Sequence, residues 1–344
     1  MRLTRIPKPF HFAKFYDSYP PLIQFSRPIL PHQPQQSARR RFPVNIVHHN
    51  RHRRCKMSTN TATPTPAPAQ LLEPLITDPS TTTTTSSDGT GPAATADDAV
   101  QAAVQGFSDQ LRAAAKPQTQ TTQSQAQTQQ ASIGDFVWRA YNALFDAVER
   151  TPPARQGPLL AFVARLRETV VTGEDGEVLR HEGGELWREL PTLGWEVRDR
   201  WNFDSADPAA TVKQRTEWEN LNAFVAQLTA RSSSDADGPL DFSMFGLWVM
   251  RDAFEAENGV GSDTAVRLAA LWVNFAGAYL RKLSVDGYEF SARIGIPNGK
   301  YAGRDWKGFN EERWKAWGDE LKIAQAKLAS DETVQGAAKV MEEL

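Results

Sequence analysis

The chain has 344 residues, with 39 Lys and Arg against 41 Asp and Glu, and its net charge of −2 hides a split: residues 1–56 hold twelve basic residues and one acid, and the rest is acidic. An acidic body argues against nucleic-acid binding by the folded part, because phosphate contacts rest on Lys and Arg. With Cys55 as the one cysteine and His181 as the one histidine beyond residue 52, a disulfide framework, Cys–His nucleophiles and zinc or multi-His centres are excluded, and no cofactor or metal is expected.

Residues 1–56 read as a basic, Pro-interrupted, disordered arm. They are Arg-rich and acid-poor, as a mitochondrial presequence is, but five prolines between Pro7 and Pro28 oppose the helix such a signal needs. Met57-Ser58-Thr59 offers an alternative start, which would make the arm an upstream extension. Residues 57–132 read as a low-complexity linker: 58–96 are rich in Thr, Pro, Ala and Ser, and 117–131 are nearly all Gln and Thr. Such segments bury too little apolar area to offset chain entropy. Between them a short helix over 97–116 is possible, with Val100, Val104, Phe107 and Leu111 at helical spacing. It reads either as a docking helix or as a transient helix in the linker, and the second reading is preferred.

All ten Trp lie between Trp138 and Trp317. Trp serves cores and interfaces, so residues 133–344 are expected to form the folded domain. Seven segments there show the 3.6-residue apolar period, and the class is all-α, a bundle or irregular array of seven to eight helices. The first carries Val137, Tyr141, Leu144 and Val148 and stops at Thr151-Pro152-Pro153. The second runs from Pro158 through Leu159, Val163, Leu166 and Val170. The third, from Trp187 to Trp201, is interrupted by Pro191, predicting two short helices or a kink. The fourth opens at Asp207-Pro208, a cap followed by a first-turn proline, and carries Trp218, Leu221, Val225 and Leu228.

The fifth opens at Asp241. The sixth opens near Ser262 and is apolar on two sides, which predicts a central helix. The seventh is capped by Asn310, with Glu311 and Glu312 suited to the positive end of the helix dipole. A short eighth helix over Asp331 to Glu343 is plausible. Residues 284–309 are long for a connection and aromatic, with a small hairpin expected at Asn298-Gly299. The apolar run from Leu268 to Leu280 is too short and too polar to span a bilayer, and no Asn-x-Ser/Thr sequon occurs. The default is therefore a soluble intracellular protein, cytoplasmic, or mitochondrial if residues 1–56 act as a presequence.

One charged, aromatic constellation stands out: Trp195, Glu196, Arg198, Asp199, Arg200 and Trp201, with Arg251, Asp252 and Glu255. Trp195, Glu196, Arg198, Trp201, Arg251 and Asp252 are the candidate binding residues. The functional reading is a Trp-lined pocket where Arg takes an anion and a carboxylate acts as acid or base. The structural reading, which is preferred, is an ion-pair network tying helices together, since a charge buried without a partner is very costly. Asn220 and Asn222 read as interhelical hydrogen-bonders, and His181, among Glu177, Glu182 and Glu185, as a solvated loop histidine. Gly295-Ile-Pro-Asn-Gly-Lys300 is one residue short of a phosphate loop, and Tyr301 stands where Ser or Thr is required. No catalytic residue is assigned.

The segments Leu186-Trp-Arg-Glu-Leu-Pro-Thr-Leu-Gly-Trp-Glu-Val-Arg-Asp-Arg-Trp-Asn202, Glu217-Trp-Glu-Asn-Leu-Asn-Ala-Phe224, Leu247-Trp-Val-Met-Arg-Asp-Ala-Phe-Glu255 and Trp306-Lys-Gly-Phe-Asn-Glu-Glu-Arg-Trp-Lys-Ala-Trp317 occur in this order. Together they resemble the fungal family known as domain of unknown function 3632, over roughly residues 133–344. The resemblance implies an all-α fold and a filamentous-fungal source, and no activity. Two functions remain open. The preferred one is a helical protein-interaction module with a protein partner and no nucleic acid or membrane. The alternative is a metal-free small-molecule-binding protein or enzyme built on Arg and carboxylates.

Overall fold

A computed structural model describes residues 66–77, 95–116, 124–205, 207–232 and 238–344; the readings of residues 1–56, of most of the linker at 57–65 and 78–94, and of 117–123 lie outside it. The described residues are all-α in class, with eleven α-helices and a single two-stranded hairpin. The helices are α1 (Pro68–Ile76), α2 (Ala96–Ala114), α3 (Ser124–Glu149), α4 (Gly157–Glu168), α5 (Leu193–Arg200), α6 (Val212–Ala230), α7 (Ser243–Phe254), α8 (Asp263–Asp286), α9 (Ala292–Gly295), α10 (Glu311–Lys327) and α11 (Glu332–Glu343). The hairpin pairs β1 (Arg180–His181) with β2 (Gly184–Glu185).

The doubly apolar helix is central. Now α8, it packs against α6, α7, α10 and α11. It starts where Ser262 accepts the Ala265 amide and ends at Gly287, whose left-handed backbone closes the last turn. On the other side α3 packs against α1, α2, α5 and α6, and α2 lies on α4. Helix α6 touches both groups. Its buried amides join them: Asn220 donates to the Glu149 carbonyl (2.7 Å), and Asn222 accepts the Trp272 indole N–H (3.1 Å). Asn310 caps α10 as expected, and Asp331, which starts the short last helix, caps α11.

Several boundaries differ from the sequence reading. The fourth predicted helix starts at Val212, because Thr211 and Gln214 form a reciprocal capping box. Asp207 instead turns the chain locally, its carboxylate accepting the Ala209 amide at 2.8 Å. Helix α4 ends at Glu168, so Val170 falls off its stripe and is exposed. The stretch before Pro191 is turn, with Leu190 and Thr192 both left-handed, so one short helix forms where two or a kink were expected. No hairpin forms at Asn298-Gly299. Residues 292–295 make one helical turn and Gly299–Tyr301 a second, tighter one, while Phe290 and Phe309 pair with the Lys307 and Tyr288 carbonyls (2.9 Å each).

The largest difference lies before residue 133. Helix α3 starts at Ser124, inside the Gln/Thr tract. Helix α2 occupies nearly the span 97–116, is capped by Thr95 and Asp98, and buries Val100, Val104, Phe107 and Leu111. It is therefore a core helix rather than a transient one. Phe107 meets Phe162 edge-on at 4.9 Å and lies within 6.5 Å of both Phe136 and Trp187. Pro68–Ile76, read as linker, forms α1 with Leu72 and Leu75 buried. Composition misled because it averages over the window: four apolar side chains in nine residues suffice once a partner surface exists.

Candidate functional site

The structure divides the predicted constellation. Its first half sits where α5 crosses α3. Arg200 pairs with Asp146 (2.9 Å) and Glu149 (3.1 Å), and lies 3.7 Å from Glu196. Asn142 completes the crossing, donating to Glu196 at 2.9 Å and accepting from Arg200 at 3.1 Å. Burial pushes the Glu196 and Glu149 carboxyls up, and in both the Arg200 charge opposes that shift without cancelling it. Asp199 is exposed and Arg198 half-buried.

Trp195 is 43% exposed, one residue from Glu196, and Trp138, one turn before Asn142 on α3, is 59% exposed. Both indoles therefore lie within a helical turn of the Asn142–Glu196 hydrogen bond. Trp201 faces the other way. It packs on Phe245 of α7 at 4.5 Å, on Trp218 at 4.7 Å and on Trp272 at 6.4 Å.

The second half lies between α7, α10 and the 287–310 connection. Its centre is Arg313, which the sequence reading passed over. Arg313 and Glu255 are both fully buried. The guanidinium donates to the Glu255 carboxylate at 2.7 and 3.0 Å, and to the carbonyls of Gly295 (2.7 Å) and Gly308 (2.8 Å). It also lies 5.5 Å from the Trp306 ring and 5.3 Å from the Trp317 ring. Glu255 accepts in addition from the Trp317 indole and the Asn298 amide, 2.8 Å each. The long aromatic connection is thus tied down through its backbone. Gly295 completes the arrangement, since a Cβ there would lie 1.8 Å from the Lys307 carbonyl oxygen. Gly299, the second glycine of the phosphate-loop-like stretch, makes a similar approach elsewhere: a Cβ there would lie 2.1 Å from the Glu255 carbonyl oxygen.

Arg251 belongs to this second group. It is 6% exposed and donates to the Ile294 carbonyl at 3.1 Å, while its Nε has no partner among the described residues. Burial pushes its pKa down, and nearby Arg313 adds to that, whereas Glu255 opposes it. Asp252 points outward and is solvent-exposed. Crowding by the surrounding chain pushes its carboxyl up, and the charge of Arg251 opposes that shift. Nearby, the buried Glu320 carboxylate pairs with Lys300 and accepts the Tyr301 hydroxyl at 2.9 Å.

His181, in β1, is half-buried against Gly134, with its pKa lowered by burial. Among the described residues no group of three or more His, Cys, Asp or Glu is placed to hold a metal, and no helix is long and apolar enough to cross a membrane. A groove of about 270 Å³ opens between α8, α10 and α11, floored by Trp314 and edged by Arg281, Lys315 and Lys322. Neither Arg198 nor Arg251 lines it.

Residues 141–321 match the model of the family described as protein of unknown function DUF3632. The chain belongs to this family. The matched stretch runs from the middle of α3 into α10, and so contains both halves of the divided constellation, while α1, α2 and α11 lie outside it. Comparisons with curated proteins and with solved structures found no match. The family's function is unknown, and no residue role comes to this chain from it.

Proposed function

We propose that the helical domain of this chain is a protein-interaction module whose binding face centres on Trp138 and Trp195. One observation carries the reading: two large indoles stand exposed on a helix crossing that Asn142, Glu196 and Arg200 hold rigid. Trp is among the residues that most often dominate a binding interface, because covering its large apolar face is favourable. A rigid platform further lowers the entropy lost on association. A cytoplasmic location is part of the same proposal.

The test compares the full-length protein with Trp138→Ala/Trp195→Ala by cross-linking mass spectrometry in an extract of its native host. The double variant should keep its helical circular dichroism and lose at least one reproducible partner. An unchanged set of cross-linked partners sinks the reading.

A second reading, an anion bound at Arg251, rests on that residue's buried Nε without a protein partner. Matched native and denatured mass spectra of the purified protein decide it. A small acid that leaves on denaturation and is lost in Arg251→Met supports it; a clean protein mass removes it.

A further inference from the structure

Helix α1 sits in the cleft between α2, α3 and α4 in a way that differs from every longer helix of the domain. It has nine residues, contains Pro74, and buries only Leu72 and Leu75 completely, with Leu71 and Ile76 partly covered. A helix this short does not persist by itself in water, so the cleft is what makes α1 helical.

The cleft reads α1 by features that belong to the receptor side. Gly106 of α2 provides the seat for Leu71: a Cβ there would lie 2.7 Å from the leucine Cδ1. Gln110 donates to the Pro66 carbonyl at 2.8 Å, before the first turn, and Arg155 donates to the Ile76 carbonyl at 2.9 Å, at the last. Arg150 pairs with Glu73 at 2.8 Å. Apolar seats along one side, donors to the backbone at both ends and one charge reader form the pattern by which grooves bind short amphipathic helices.

We infer that the α2–α3–α4 cleft is a helix-binding groove, that α1 occupies it in cis as an exchangeable pseudo-ligand, and that its trans ligand is a short amphipathic helix of the α1 type. That ligand carries large aliphatic residues at positions i, i+1, i+4 and i+5 and a carboxylate at i+2, the places of Leu71, Leu72, Leu75, Ile76 and Glu73. The groove uses α2 and the end of α3, away from Trp195, and the inference stands without the tryptophan surface. Because α1 is tethered, it competes at high effective concentration, and a trans helix binds weakly until α1 is released.

The test uses the full chain and a fluorescein-labelled peptide of residues 66–77. The Leu72→Asp/Leu75→Asp chain, which empties the groove while leaving its walls intact, should bind the peptide at least tenfold more tightly than the wild-type chain by fluorescence polarisation. Adding Gly106→Leu should abolish binding. Arg150→Glu should weaken it, and a peptide with Lys in place of Glu73 should restore it. A folded double variant that ignores the peptide, or binding that survives Gly106→Leu, overturns the inference. If the double variant does not fold, hydrogen exchange on the wild-type chain decides: α1 amides should exchange at least a hundredfold faster than those of α2. Equal protection would make α1 an ordinary core helix and end the proposal.

Discussion

Arg313 and Arg200 both tie separate stretches of chain together through carboxylates, Arg313 with one and Arg200 with three, yet they work under opposite conditions. Around Arg313 the site is dry: the guanidinium and its partner Glu255 are wholly buried, and carbonyls and indoles take up the remaining hydrogen bonds. Around Arg200 the site is half-open: Asp146 is largely exposed, and three carboxylates share one guanidinium. The dry site therefore depends on complete pairing, whereas the open one can gain or lose protons. A buried pair is strongly destabilised when one member is removed, and a partly solvated cluster can redistribute its charge.

The largest effect should follow from Glu255→Gln. The amide keeps most of the shape but leaves Arg313 in the core without its carboxylate partner. Urea unfolding should lose about 3–5 kcal/mol. A loss below about 1 kcal/mol would mean that water reaches Arg313, and the contrast between the two arginines would collapse.

Arg200→Met should cost less, about 1–3 kcal/mol at pH 8, in the range of hydrogen bonds to charged groups, and its cost should depend on pH. Burial already raises the Glu149 and Glu196 carboxyls above the usual carboxylate range, and losing the arginine raises them further. The folded state then binds protons that the unfolded state releases. Stability falls as pH rises from the unfolded value through the raised one, and it recovers on acidification through the same window. The cost of Arg200→Met measured at pH 5 should thus be smaller than at pH 8. A cost that is flat with pH would show that the two glutamates are hydrated and ordinary.

This division was only partly legible in the sequence. Periodicity placed the core helices and identified α8 as central, since a two-sided apolar pattern has one physical solution. The starts of these helices at Ser262, Asn310 and Asp331 were readable, since each side chain can satisfy a local amide. Asp207-Pro208 misled, because the same residues cap a helix or close a turn, and the stronger Thr211–Gln214 box downstream decided between them. The charged constellation looked single because its residues share type and neighbourhood along the chain. Only the tertiary packing of α5 on α3 and of α10 on α7 separates them. Arg313 gave one faint signal, its place four residues before Trp317 on an apolar stripe, where a charge must be paired or excluded. Helix α1 gave less, because its four aliphatic residues are few enough to pass for linker until the cleft that receives them is known.

Beneath the open cluster lies the smallest test of the comparison. The Tyr141 hydroxyl is buried with no hydrogen-bond partner among the described residues, and burial, aided by the charge of Glu196, pushes its pKa upward. Its ring packs on Trp187 at 6.2 Å, and the Trp187 indole N–H likewise has no described partner. Replacing Tyr141 by Phe removes a polar atom whose desolvation the protein interior leaves uncompensated. If the space beside α5 is dry, Tyr141→Phe should leave unfolding stability unchanged or raise it by up to about 1 kcal/mol. If water reaches under Arg200 and solvates the hydroxyl, the same variant should cost about 1 kcal/mol instead. The sign of this one difference, read by urea unfolding at pH 7, locates the boundary between the dry and open parts of the domain, since Tyr141 stands between the aromatic cluster of α2 and the carboxylates of the α3–α5 crossing.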